Sequence, residues 1–129
     1  MRVLRVMKSV YFVDTSTVDL NVFINNTEFN KTDKVIIVYY SGCEDLNLDC
    51  LHKLISIGVT IETVNSTKVD VDKILLISLI NKCCKECSNV NYYIVSNDRG
   101  FNNLPHGYLP NAVECEILEC YEPNVGLEK

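Results

Sequence analysis

Twice in this chain a short, uncharged run of strand-forming residues breaks off at a cluster of small polar side chains. Val10-Tyr11-Phe12-Val13 runs into Asp14-Thr15-Ser16-Thr17, and Tyr92-Tyr93-Ile94-Val95 runs into Ser96-Asn97-Asp98, with Gly100 releasing the backbone two residues later. Apolar runs without alternation are what a strand buried on both faces requires, and such strands belong to parallel sheets covered by helices. In open α/β sheets, ligands bind beyond the carboxyl ends of the strands. Asp14 and Asp98 are therefore candidate site residues, with Ser16, Ser96 and Asn97 beside them. The competing reading is a turn in which Asn97 and Asp98 cap backbone groups. Two acids ending neighbouring strands favour the site, because a carboxylate pair suits a hard, oxygen-preferring cation such as Mg²⁺ or Mn²⁺.

The rest of the chain supplies the sheet around them. Ser16 or Thr17 is expected to cap a helix through Asp19–Ile24, with Val18, Val22 and Phe23 on its apolar side. Lys34–Tyr40 reads as the second strand. Ser41-Gly42-Cys43-Glu44 has capping-box spacing and opens a helix through Leu46, Leu51 and Leu54 that Gly58 ends. Val59–Val64 alternates like an edge strand. Asn65-Ser66-Thr67-Lys68 is a turn and cap before the longest helix, whose apolar residues Val71, Ile74, Leu75, Ile77, Leu79 and Ile80 spread over more than one face, predicting a helix between layers. Asp70 and Asp72 fall in its first turn, where the helix dipole favours carboxylates by a few tenths to about 1 kcal/mol. Ala112–Leu118 makes a fifth strand. Strand–helix alternation predicts an α/β fold with a mostly parallel five-stranded sheet, order 3-2-1-4-5, which sets strands one and four side by side where the winding reverses. Asp72, on a helix that starts above the same edge, would overhang Asp14 and Asp98.

Size and charge narrow the function. The 129 residues suit one domain, with a core over about 10–118 and a tail at 119–129. The longest apolar stretch, Ile74–Ile80, is too short to cross a bilayer, and the basic residues 1–8 lack the apolar region of a signal peptide. Seven cysteines, an odd number, fit reduced thiols in a cytoplasmic protein. A net charge of −5 and a pI near 4.9 argue against a broad basic surface for nucleic acid, but not against a nuclease whose acids hold metal.

Three segments resemble the PIN and PIN-like (NYN-type) nuclease superfamily over roughly residues 10–110. Phe12-Val13-Asp14-Thr15-Ser16 is similar to its first-strand motif. Lys68-Val69-Asp70-Val71-Asp72 resembles its helix-start motif, with Val69-Asp70 in place of Asn-Ala. Val95-Ser96-Asn97-Asp98-Arg99-Gly100-Phe101 resembles its Ser-Asn-Asp-x-Gly-Phe strand end. Thr17 stands where many relatives carry Asn. Glu44 resembles the acid of a Thr-x-x-Glu element in toxin relatives. The resemblance implies a three-layer α/β/α sandwich and a Mg²⁺- or Mn²⁺-dependent endoribonuclease. Asp14, Asp72 and Asp98 would be its metal ligands and catalytic acids, with Glu44, Asp70, Ser16, Ser96 and Asn97 assisting; the acidic chain, with few clustered basic residues, makes single-stranded RNA the expected substrate.

Other readings stay open beside it. A PIN-like domain with an incomplete acidic site would bind RNA, a protein partner or a second copy of itself. A receiver-like domain should show an acidic pair near strand one and a Lys after the last strand, and the chain has neither. Cys84 and Cys87, with Cys115 and Cys120, have the residue types of a zinc site but not compact spacing. His52 and His106 have no partner at catalytic spacing. Tyr39, Tyr40, Tyr92 and Tyr93 read as packing residues before base-stacking platforms.

Overall fold

A computed structural model describes residues 8–43, 45–85, 90–98 and 115–121. Its elements in chain order are β1 (Lys8–Asp14), α1 (Leu20–Asn25), β2 (Lys34–Tyr40), α2 (Leu48–Ile57), β3 (Thr60–Ser66), a 3-10 turn at Lys68–Asp70, α3 (Val71–Lys85), β4 (Val90–Val95) and β5 (Cys115–Leu118). All neighbouring strands pair in parallel, in the order β3-β2-β1-β4-β5. β1 is thus the centre of the sheet, and the winding reverses between β1 and β4.

Strand alternation divides the core in two. Tyr11, Val13, Val35 and Ile37 face α1 and α2, where they meet Leu20, Phe23, Ile24, Cys50 and Leu54. Their neighbours Val10, Phe12, Ile36, Val38, Tyr92 and Ile94 face α3 and meet Val71, Leu75 and Leu79. Because both faces are covered, the strands carry the unbroken apolar runs seen in the sequence. On the α1 side, Tyr11 stacks on Tyr93 with ring centroids 5.1 Å apart and meets Phe23 and Phe29 edge-on.

Several boundaries differ from expectation. Asp19, not Ser16 or Thr17, caps α1: its Oδ1 accepts from Asn21 N at 2.9 Å and Val22 N at 3.3 Å. Val18 is buried ahead of the helix, whose own buried residues are Leu20, Phe23 and Ile24. Nor does Ser41 cap α2. Cys43 N donates to the Tyr40 carbonyl at 3.1 Å and Gly42 has φ +103°, so the chain turns there, and Asn47 Oδ1 caps the helix through Cys50 N at 2.8 Å. Gly58 does end α2, at φ +95°, where only glycine is unstrained. Asn65 and Ser66 belong to β3 rather than to a turn.

α3 is a surface helix rather than one between layers. Val71, Leu75 and Leu79 form one buried stripe at four-residue spacing, while Ile77 is 55% exposed. Off that stripe, Ile74 and Leu76 are partly buried against the same core, and Ile77 faces solvent. No described helix is long and apolar enough to cross a membrane. Expectations for 112–114, for the loop at 101–110, and for Cys87 and His106 lie outside the described residues.

Candidate functional site at the carboxyl edge

Asp14 is the last residue of the central strand and is 1% exposed. By strand alternation it continues the row Val10–Phe12 on the α3 side, where the next residue should be apolar. A carboxylate there needs donors, since burying an unpaired charge costs several kcal/mol. Four donors reach it. Oδ1 accepts from Ser16 N at 3.0 Å and from the Ser16 hydroxyl; Oδ2 accepts from the Thr17 hydroxyl at 3.0 Å and the Ser96 hydroxyl at 2.7 Å. A carboxylate has about four lone-pair positions, so the chain's own donors fill them.

Ser96 brings β4 into this network. The strand register pairs Val13 with Val95, which sets Ser96 beside Asp14. Ser96 is 1% exposed; its N–H donates to the Leu118 carbonyl at 2.9 Å, and its hydroxyl oxygen accepts from Asp98 N at 3.0 Å. Thr17 does the same for the next residue, accepting from Asn97 N at 2.9 Å. The Thr17 and Ser96 oxygens approach to 3.3 Å. Each hydroxyl has a single proton and both protons go to Asp14, so that close approach is not itself a hydrogen bond.

Asn97 works as a clamp. Its Nδ2 donates to Thr17 O at 3.0 Å and Cys120 O at 2.7 Å, and its Oδ1 accepts from Cys120 N at 2.8 Å. The ends of β1, β4 and β5 are tied through one side chain. Cys120, expected in a tail, is fixed by it.

Asp14, Ser16, Ser96, Asn97 and the backbone of Asp98 therefore meet at one edge. The Asp98 side chain is exposed. Asp70 and Asp72 are held locally: Asp70 accepts the Thr67 hydroxyl at 2.8 Å and lies 4.0 Å from Lys73 Nζ, and exposed Asp72 accepts from Lys73 N at 2.9 Å. No hydrogen bond or ion pair joins either of them to Asp14, and no three His, Cys, Asp or Glu side chains are grouped to hold a metal ion, among the described residues. Glu44 lies outside those residues. Sequence reasoning missed the part of Thr17, read only as a cap or a departure from a motif. Its position three residues after a strand-end Asp was the available signal.

By donor type the residues fit Mg²⁺ or Mn²⁺: Asp14, Asp98 and the surrounding hydroxyls offer only oxygen. Admitting a cation at Asp14 requires a hydroxyl to turn away, at a net cost of about 0.5–1.5 kcal/mol for each bond given up. Ser16, Thr17 and Ser96 can each do so by rotation about one bond.

Beside this network a cleft of about 270 Å³ opens between the β1–α1 loop and the turn after β2, lined in part by Thr15, Ser16, Thr17, Asp19, Tyr40 and Cys43. Burial pushes the Cys50 and Cys120 thiols up from their ordinary value, and Cys50 Sγ lies 3.6 Å from Asn21 O.

No family model matches the chain, and no curated protein or solved structure matches it.

Proposed function

We propose that this is a PIN-like, divalent-metal-dependent endoribonuclease that cleaves single-stranded RNA, with Asp14, Asp72 and Asp98 as catalytic acids and metal ligands. The observation that carries the reading is the buried Asp14 carboxylate at the carboxyl end of the central strand, hydrogen-bonded to Ser96 across the point where the winding reverses. Bound Mg²⁺ or Mn²⁺ would supply water activation and charge stabilisation at a phosphodiester. The chain's own part is positioning. Ser16, Thr17 and Ser96 fix the Asp14 carboxylate, Asn97 holds the loop that carries them, and Ser96 sets the backbone from which Asp98 projects. Glu44 and Asp70 are assigned assisting roles. A net charge of −5 favours single strands, because an acidic domain grips a duplex backbone weakly. Cys43, Cys50 and Cys120 are thiols without disulfides, in keeping with a reducing cytoplasm.

The test is cleavage of labelled single-stranded RNA by purified protein in Mn²⁺, with chelator as control. Asp14→Asn, Asp72→Asn and Asp98→Asn should each stop cutting, without additivity, because one shared site is dismantled each time. A Glu44→Gln variant that keeps most of its activity would remove Glu44 from the set.

A second reading has its own support. With all four Asp14 lone-pair positions filled and no trio of acids among the described residues, the edge also suits a non-catalytic PIN-like domain that binds RNA or a protein. Folded protein that cuts no RNA or DNA in Mn²⁺ would establish that reading over the first.

A further inference from the structure

The cleft beside Asp14 differs from a phosphate pocket in what its lining offers. None of its described residues is Lys or Arg. Its hydrogen-bond donors are mostly used within the fold. The Thr15 hydroxyl donates to the Val38 carbonyl at 2.6 Å, and the Ser16 and Thr17 hydroxyls donate to Asp14. Backbone groups follow suit: Thr17 N and Val18 N donate to the Asp14 carbonyl, Ser16 N to its carboxylate, and Cys43 N to the Tyr40 carbonyl. What these groups leave for a ligand is lone pairs.

Asp19 adds to this acceptor surplus. Its Oδ1 takes both capping N–H groups of α1, and its Oδ2 makes no hydrogen bond among the described residues. Opposite in sequence, Tyr40 contributes the one aromatic ring among the described lining residues. It is half-buried and packed in part against the α3-side core, and Gly42, two residues on, lines the same cleft.

Among the described residues, a lining rich in free acceptors with one aromatic ring and no cationic group suits a flat ring that donates hydrogen bonds better than an anion. We infer that this cleft is a nucleobase subsite for amino-bearing bases, with Tyr40 stacking on the base and the Asp19 carboxylate accepting from its exocyclic amine. The inference rests on the single-stranded RNA reading above and adds to it a base preference: cytosine, with its N4 amine, over uracil, whose carbonyl there faces acceptors.

Binding of fluorescent C₈ and U₈ RNA, measured by anisotropy in chelator so that nothing is cut, tests it. C₈ should bind at least about 5-fold more tightly than U₈, the lower range for one amine–carboxylate contact. Asp19→Asn keeps a good helix cap and should bring the two oligomers to within about 2-fold of each other. Tyr40→Leu preserves apolar packing and should weaken C₈ by roughly 5- to 100-fold, the loss of one stacked base, while Tyr40→Phe binds like the parent. Equal affinity for C₈ and U₈, no binding of either, or unchanged C₈ binding by folded Tyr40→Leu overturns the inference. Cleavage in Mn²⁺ is scored separately. Protein that prefers C₈ but cuts nothing refutes the nuclease while sustaining the subsite, and protein that cuts while binding both oligomers alike does the reverse.

Discussion

The sheet buries a carboxylate at each of its edges, and the two are held differently. Asp33, 2% exposed just ahead of β2, accepts from Ser9 N at 3.1 Å and Asn30 N at 2.8 Å. Asp14, 1% exposed at the other edge, accepts from one backbone N–H and three hydroxyls. Backbone donors are fixed by the fold and cannot turn aside. Hydroxyls rotate, and they accept as readily as they donate. Asp33 is therefore a fixed brace between the β1 start and the loop before β2, whereas Asp14 has a shell that can rearrange around a ligand. Burial alone does not distinguish the two acids; the identity of their donors does.

The comparison breaks most sharply in activity. In Mn²⁺-dependent cutting of single-stranded RNA, Asp14→Asn should lower the rate by at least about 100-fold, while folded Asp33→Asn should cut near the parental rate. Equal losses would erase the distinction between the two acids. Stability should rank them the other way. Asp33→Ala orphans two backbone N–H groups at about 1–3 kcal/mol each, so urea unfolding should show a loss of about 2–6 kcal/mol. Asp14→Ala orphans one backbone N–H, that of Ser16, and leaves hydroxyls that can pair with each other or with water, so its loss should be nearer about 1–3 kcal/mol. An Asp14→Ala protein less stable than Asp33→Ala would show that the hydroxyl shell is rigid.

A smaller effect concerns cation binding. Mn²⁺ should raise the melting temperature of the parent and of Asp33→Asn by mass action, and should not raise that of Asp98→Asn. A shift that survives in Asp98→Asn places the ion elsewhere. The smallest effect belongs to the α1 side of the core. Burial and the nearby Asp33 carboxylate push the Tyr11 phenol up from 10.0, and burial pushes the Cys50 thiol up from 9.0. Both hold their protons more tightly folded than unfolded, so this stabilisation is complete below the unfolded values and falls away as pH rises through the raised ones. A urea midpoint that drops slightly between about pH 8 and about pH 10, and drops less in Cys50→Ala, checks the thiol's share.

Much of the architecture is legible in the sequence because burial on both faces leaves a direct mark. Lys34–Tyr40 was expected as a strand and is β2 to the residue; the order of all five strands follows from the alternation of strand and helix. Helix starts were less legible. Ser, Thr, Asn and Asp all cap, and the stretches before α1 and α2 each hold several of them, so Asp19 and Asn47 could not be told from Ser16 and Ser41 by composition. Ser16 and Ser96 were recognisable as neighbours of Asp14 because they flank strand-end acids. The closing of Asn97 onto Cys120 was not, since a contact across 23 residues leaves no local pattern.

That clamp has a consequence for the order of events in folding. The Ser96–Asp14 bond joins residues 82 apart, and Asn97 reaches Thr17 across 80 residues and Cys120 across 23. Contacts so distant in sequence close late, after the chain entropy of a long loop has been overcome. On the ribosome, Asp14 has its Ser16 and Thr17 donors at once but must wait for β4 to bring Ser96, and Asn97 must wait for the end of β5 to bring Cys120. During synthesis the network at the carboxyl edge is therefore incomplete until Cys120 has left the exit tunnel, and its completion coincides with completion of the sheet.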